Sequence, residues 1–215
     1  MYYSGEAKEF VRHHCVGVAV SNGTDPTGPY IPQPHPLSCR LDQGGSIDPA
    51  GFLDQDGTRY VLFKLDGNSI GNGGDCNNGI PPIKPTPILL QRVAEDGFTP
   101  VGDAVEILDR DDSDGPLVEA PYLVFQDGIY YLFYSTHCFT DPKYDVRYAT
   151  ATNITGPYTK TGTLINGPRS GLKSPGGGTV CPCGDRMLFH AFCREDVRCT
   201  YAAAVNINKG KVSIV

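Results

Sequence analysis

The chain has 215 residues and a formal net charge of −6, with 24 acidic against 18 basic side chains, 40% hydrophobic and 20% charged. This apolar content is enough to bury a core and excludes disorder as the main state, while the acidic balance argues against binding nucleic acid through bulk electrostatics. With Gly 26 and Pro 18, the chain predicts many turns and few long helices, and so an all-β fold.

In chain order, Met1-Tyr2-Tyr3-Ser4 carries neither a basic region nor an apolar run, and no stretch is long and apolar enough to span a membrane. Short β-rich runs separated by Gly, Pro, Asn and Asp follow, and helical periodicity is hard to find. The predicted strands cover 16–20, 50–53, 60–65, 88–93, 123–125, 130–134, 146–149, 187–192 and 201–205. Eight cysteines, Cys15, Cys39, Cys76, Cys138, Cys181, Cys183, Cys193 and Cys199, suit disulfides in a secreted protein, with pairing unreadable from spacing. The alternative is a zinc site on Cys181, Cys183, Cys193 and Cys199, which lacks the usual C-x2-C spacing. Two sequons, at Asn22 and Asn153, agree with a secretory route.

The chain repeats itself. Ile47-Asp48-Pro49-Ala50-Gly51-Phe52-Leu53-Asp54-Gln55-Asp56-Gly57 aligns without gaps on Val118-Glu119-Ala120-Pro121-Tyr122-Leu123-Val124-Phe125-Gln126-Asp127-Gly128, each continuing into an aromatic strand. That pattern predicts two hairpins with two-residue turns and puts Asp48 and Glu119 at the same repeat position. Residues 175–190 repeat the unit loosely, with Cys183-Gly184 at the turn. Tyr3-Ser4, Val16-Gly17-Val18-Ala19 and Thr27-Gly28-Pro29-Tyr30 are echoed by Tyr134-Ser135, Val146-Arg147-Tyr148-Ala149 and Thr155-Gly156-Pro157-Tyr158. Four antiparallel strands per unit describe a β-propeller blade, against the alternative of an ordinary sandwich. The expected divisions of this single partial domain are a blade remnant at 1–45 and blades at 46–115, 116–168 and 169–215. That is about three and a half blades, with the chain expected to begin inside a blade.

The first strand of each blade lines the channel, so Asp48 and Glu119 are expected to face one another across it. Paired carboxylates there suit glycosidic bond cleavage, in which one protonates the leaving oxygen. A Glu close to other carboxylates resists ionisation, which makes Glu119 the candidate acid. Tyr122, Phe52 and His190 are the candidates for sugar contact. Asp75, Asp111, Asp112 and Asp114 lie in predicted loops as substitute carboxylates. Gly176-Gly177-Gly178 lacks the helix and Lys-Ser/Thr of a phosphate loop.

Ser-Ile-Asp-Pro at 46–49, Val-Glu-Ala-Pro at 118–121, the strand Tyr130-Tyr131-Leu132-Phe133-Tyr134-Ser135 and the Gly-Pro-Tyr closures resemble glycoside hydrolase family 43 over nearly the whole chain. The resemblance implies a five-bladed propeller, here incomplete, and inverting hydrolysis of arabinose- or xylose-containing plant cell-wall polysaccharides or oligosaccharides. It assigns Glu119 as general acid and Asp48 as the Asp that tunes and orients it. The general-base Asp of that family belongs to a first blade for which this sequence has no residues, so impaired turnover is expected. His190 resembles a family His near the axis that helps hold an ion or water. A structural calcium ion there is the one cofactor the resemblance allows, although this chain has no His in its Gly-rich segment. The intact protein is expected to be extracellular and monomeric, with no nucleic-acid or membrane partner. Two further readings stay open: a non-catalytic carbohydrate-binding propeller, and a fructan-acting relative, which would carry Arg-Asp-Pro and Glu-Cys in place of Ile47-Asp48-Pro49 and Glu119-Ala120.

Overall fold

A computed structural model describes residues 1–215. Fifteen strands form four antiparallel sheets in chain order. The first contains β1 (Tyr2–Ala7), β2 (Phe10–Ser21) and β3 (Tyr30–Pro32). The second contains β4 (Ser46–Leu53), β5 (Arg59–Leu65), β6 (Ile88–Val93) and β7 (Val105–Leu108). The third contains β8 (Val118–Gln126), β9 (Ile129–Thr136), β10 (Asp145–Ala151) and β11 (Thr159–Ile165). The fourth contains β12 (Lys173–Val180), β13 (Arg186–Arg194), β14 (Val197–Asn208) and β15 (Lys211–Ile214). Every strand predicted from the sequence lies inside one of these. The chain is all-β, its sheets are propeller blades, and no helix is long and apolar enough to cross a membrane.

Side chains alternate across each strand, so one face of each blade packs on the next. Val16 meets Phe63, Leu65 and Leu89 between the first and second sheets. Leu62, Leu90 and Ile107 meet Leu123, Leu132 and Tyr134 between the second and third. Tyr131, Phe133 and Val146 meet Met187, Phe189 and Val205 between the third and fourth.

β1 takes the place of a second strand: Ser4 pairs with Val16 as Ser135 of β9 pairs with Val146 of β10. In the other sheets a first strand lies inside this one, and each carries the same device. Asp48-Pro49 opposes Phe63 alone, Ala120-Pro121 opposes Tyr134, and Ser174-Pro175 opposes Ala191. These are β-bulges, in which a proline without an N–H costs no ladder bond. The residue before each proline has a left-handed φ, 58° at Asp48, 52° at Ala120 and 51° at Ser174.

This register corrects the gapless repeat by one residue. Ile47, not Asp48, stands where Glu119 stands, just ahead of the bulge, while Asp48 matches Ala120. The extra residue that hid the shift lies in the first hairpin. Asp127 and Gly128 form the expected two-residue turn with φ of 53° and 78°. Gln55-Asp56-Gly57 instead form a three-residue loop, closed by Gly57 N to Asp54 O at 3.0 Å and Asp54 N to Thr58 O at 2.9 Å.

All eight cysteines are paired, as Cys15–Cys39, Cys76–Cys138, Cys181–Cys183 and Cys193–Cys199. The zinc alternative fails on geometry as well as chemistry. Its two cysteine pairs sit at opposite ends of β13, a strand of 9 residues, roughly 30 Å long at about 3.3 Å per residue.

Candidate active site

Asp48 and Glu119 come together at the heads of neighbouring blades. Asp48 Oδ2 accepts a hydrogen bond from Ala120 N at 3.0 Å, and Asp48 N donates to Ser4 Oγ at 3.1 Å. Glu119 Oε1 accepts from the Tyr144 hydroxyl at 2.6 Å, and Glu119 Oε2 lies 3.6 Å from Lys64 Nζ. Lys64 is held in turn by Asp66 Oδ1 at 2.9 Å, and Asp66 Oδ2 accepts from Ser69 Oγ at 2.6 Å. Asp48, Lys64, Asp66, Glu119, Tyr144 and His190 line a cavity of about 330 Å³. An adjoining cavity of about 360 Å³ is lined by Asp48, Ala120, Tyr122, Gly177 and His190.

The charge count explains the protonation. Three carboxyls share one buried ammonium, so full ionisation would leave two uncompensated negative charges in a poorly solvated site. Burial raises the pKa of Glu119, Asp48 raises it further, and Lys64 and the Tyr144 hydroxyl oppose the rise. Burial also raises that of Asp48, against Lys64 and the Ala120 N–H. Asp66 moves the other way: burial pushes it up, but Lys64 and Ser69 prevail and hold it below the usual carboxylate range. Lys64 keeps its proton more tightly than usual, because Asp66, Glu119 and Asp48 outweigh its burial. Tyr144 rises well above the ordinary tyrosine value through burial and the adjoining Glu119.

Of the residues expected to touch sugar, Tyr122 and His190 reach these cavities and Phe52 does not. Phe52 lies farther along β4, packed edge-on against Tyr130 with ring centroids 6.2 Å apart, and borders a separate cavity with Leu53 and Phe125. The substitute acids are spent elsewhere. Asp114 is buried between Lys160 and Arg147, Asp111 pairs with Lys160 at 2.7 Å, and Asp112 pairs with Arg110 at 3.0 Å. Asp75 is exposed in the 66–87 loop and does not line the cavity.

Sequence reasoning missed Lys64, Asp66, Tyr144 and Arg198. Lys64 left one signal, a charge inside the otherwise apolar run Tyr60-Val61-Leu62-Phe63-Lys64-Leu65, and charged side chains are buried only when paired. Tyr144 left none. It comes from the loop after β9, which Cys76–Cys138 ties to the 66–87 loop, and its ring fills the space a Cβ at Gly176 would need.

A family model described as glycosyl hydrolases family 43 matches residues 1–210. The chain is 32% identical over 166 residues to a xylosidase/arabinosidase of Bacteroides ovatus, covering 70% of this chain and 48% of that protein. It is 28% identical over 163 residues to an extracellular endo-alpha-(1->5)-L-arabinanase of Bacillus subtilis (strain 168), covering 70% and 44%. The chain thus spans about half the length of these curated relatives. A thermostable family-43 glycoside hydrolase of known structure superposes with a TM-score of 0.80 at 26% identity, covering all of this chain and 70% of that one.

Proposed function

The chain belongs to glycosyl hydrolase family 43, and from that premise we propose that it is the core of a glycosidase acting on arabinose- or xylose-containing polysaccharides or oligosaccharides with inversion. The observation that carries this reading is the bond from Ala120 N to Asp48 Oδ2, which couples two carboxyls of raised pKa at one cavity. Glu119 holds the proton and delivers it to the leaving glycosidic oxygen. The Tyr144 hydroxyl donates to Oε1, and Lys64 Nζ lies 3.6 Å from Oε2. Asp48 holds the peptide that carries Glu119 and keeps the acid's proton affinity high. Inversion also needs a base carboxylate about 6.5–9.5 Å from the acid, with its water on the opposite face of the sugar.

The remaining carboxylate at the cavity, Asp66, is neutralised by Lys64, so turnover by these 215 residues is slow. The names of the relatives support arabinose and xylose as the sugars. The four disulfides and the extracellular arabinanase support an extracellular location.

Arabinan, xylan and aryl arabinosides and xylosides, assayed with Glu119→Gln as control, test the reading. Slow hydrolysis that Glu119→Gln abolishes is expected. Hydrolysis indifferent to Glu119 refutes the assignment, and robust hydrolysis lost in Asp66→Asn transfers the base role to Asp66. Binding without any cleavage favours the carbohydrate-binding alternative.

A further inference from the structure

Arg198 on β14 turns its guanidinium onto His190 of β13. Its Nε donates to His190 Nδ1 at 2.6 Å, one terminal nitrogen donates to Ser174 O at 2.6 Å and His190 O at 3.2 Å, and the other donates to Phe139 O at 3.0 Å. The guanidinium lies 4.6 Å from the Phe192 ring centroid and 5.4 Å from that of Tyr144, whose ring stacks on His190 at 6.1 Å. With four of its five N–H bonds engaged and aromatic rings about it, the group has one orientation.

This clamp dictates the state of the histidine. A guanidinium has no lone pair to accept with and does not lose its proton, so Nδ1 is the acceptor and the ring proton is on Nε2. Burial and the Arg198 charge oppose a second proton, lowering the pKa to about 4. Nε2 makes no hydrogen bond within the protein. It lies 2.4 Å from where a Cβ at Gly177 would be, at the cavity shared with Asp48 and Ala120.

To ligate a cation at the axis directly, His190 would need a free ring lone pair. One nitrogen's lone pair is taken by Arg198, the other nitrogen carries hydrogen, and a fixed positive charge adjoins the ring. Gly177 offers no side chain, and none fits there while His190 keeps its place. His190 therefore does not fit as a direct ligand of the calcium ion that the resemblance allows.

We infer that Arg198 is a positioning residue that locks His190 as the Nε2–H tautomer and makes the axial position a hydrogen-bond donor to a sugar hydroxyl in place of a cation site. The sugar as occupant rests on the function proposed above; the clamp does not.

Long-range proton–nitrogen NMR on the uniformly 15N-labelled full chain tests both parts. The expected result is an unprotonated Nδ1 and a protonated Nε2 for His190 from pH 5.5 to 8. Millimolar calcium chloride should leave these resonances and the Tm unchanged, and arabino- or xylo-oligosaccharide should shift Nε2. A protonated Nδ1, an imidazolium at pH 6.5, or a calcium-dependent shift of His190 or of Tm overturns the clamp. The expected tautomer with no response to any oligosaccharide leaves the clamp standing and overturns the hydroxyl ligand, whatever the hydrolysis assays show. Arg198→Met should let His190 titrate at higher pH than in the unaltered chain, with burial still holding it below the ordinary histidine value; if that variant does not fold, the measurements on the unaltered chain decide alone.

Discussion

The carboxylate of Asp48 is hydrogen-bonded at 3.0 Å to the peptide nitrogen of Ala120, and that peptide is the one Glu119 supplies its carbonyl to. One blade's acid thus holds the backbone that carries the next blade's acid. The contact depends on the left-handed φ of 58° at Asp48, which a bulge ahead of Pro49 provides.

Replacing Asp48 by Asn tests the charge of this contact while keeping an acceptor for Ala120 N. A carboxyl whose pKa is raised on folding stabilises the protein below its unfolded pKa, and that contribution is lost as pH rises through the folded value. The unaltered chain should therefore lose Tm relative to Asp48→Asn as pH rises from 4 toward neutrality. A difference between the two melting curves that stays constant with pH would show that Asp48 is ionised throughout.

Tyr144→Phe removes one hydroxyl and keeps the ring packed over Gly176. Loss of a donor to an ionised carboxylate raises its pKa, so Glu119 should titrate at higher pH in carboxyl-carbon NMR. The cost in stability should be about 1–2 kcal/mol by urea denaturation.

Lys64→Met should be far more damaging. It leaves Asp66 and Glu119 without their buried counter-ion, a loss of about 3–5 kcal/mol. The double variant Lys64→Met, Asp66→Asn should recover part of that loss, because one of the orphaned charges is gone. Denaturation of Lys64→Met, Asp66→Asn and the double variant beside the unaltered chain gives the coupling.

Cys76→Ser with Cys138→Ser unties the 66–87 loop from the loop that delivers Phe139 and Tyr144. The bridge joins cysteines 62 positions apart, and removing it should cost about 2–4 kcal/mol. Amide hydrogen exchange should rise most in residues 137–144.

Phe52→Ala and Tyr122→Ala separate packing from contact with sugar. Phe52 packs against Tyr130 away from the acids, so its loss should cost about 3 kcal/mol of stability. Oligosaccharide affinity should be unchanged in Phe52→Ala and weakened in Tyr122→Ala, as read by calorimetry.

Much of the architecture was legible because its signals are local. Alternating apolar residues, turn glycines and the repeated Tyr-Ser and Gly-Pro-Tyr elements each act within a few positions. The acids could be selected on the same footing, since Asp48 stands next to Pro49 and Glu119 two residues before Pro121 in a repeated strand. Their exact relation could not. A gapless alignment absorbed the extra residue of the Gln55-Asp56-Gly57 loop and shifted the first strands by one, which in a strand exchanges one face for the other.

By itself, the sequence determined the all-β blade repeat, the family likeness and the choice of Glu119 and Asp48. Only the tertiary structure decided what surrounds them: Lys64 and Asp66 from β5 and the loop after it, Tyr144 from a loop of the next blade, and Arg198 behind His190. Periodicity and turn chemistry act between neighbours in the chain, whereas proton affinity depends on charges and burial within a few ångströms in space. The propeller gathers those charges from segments far apart in the sequence.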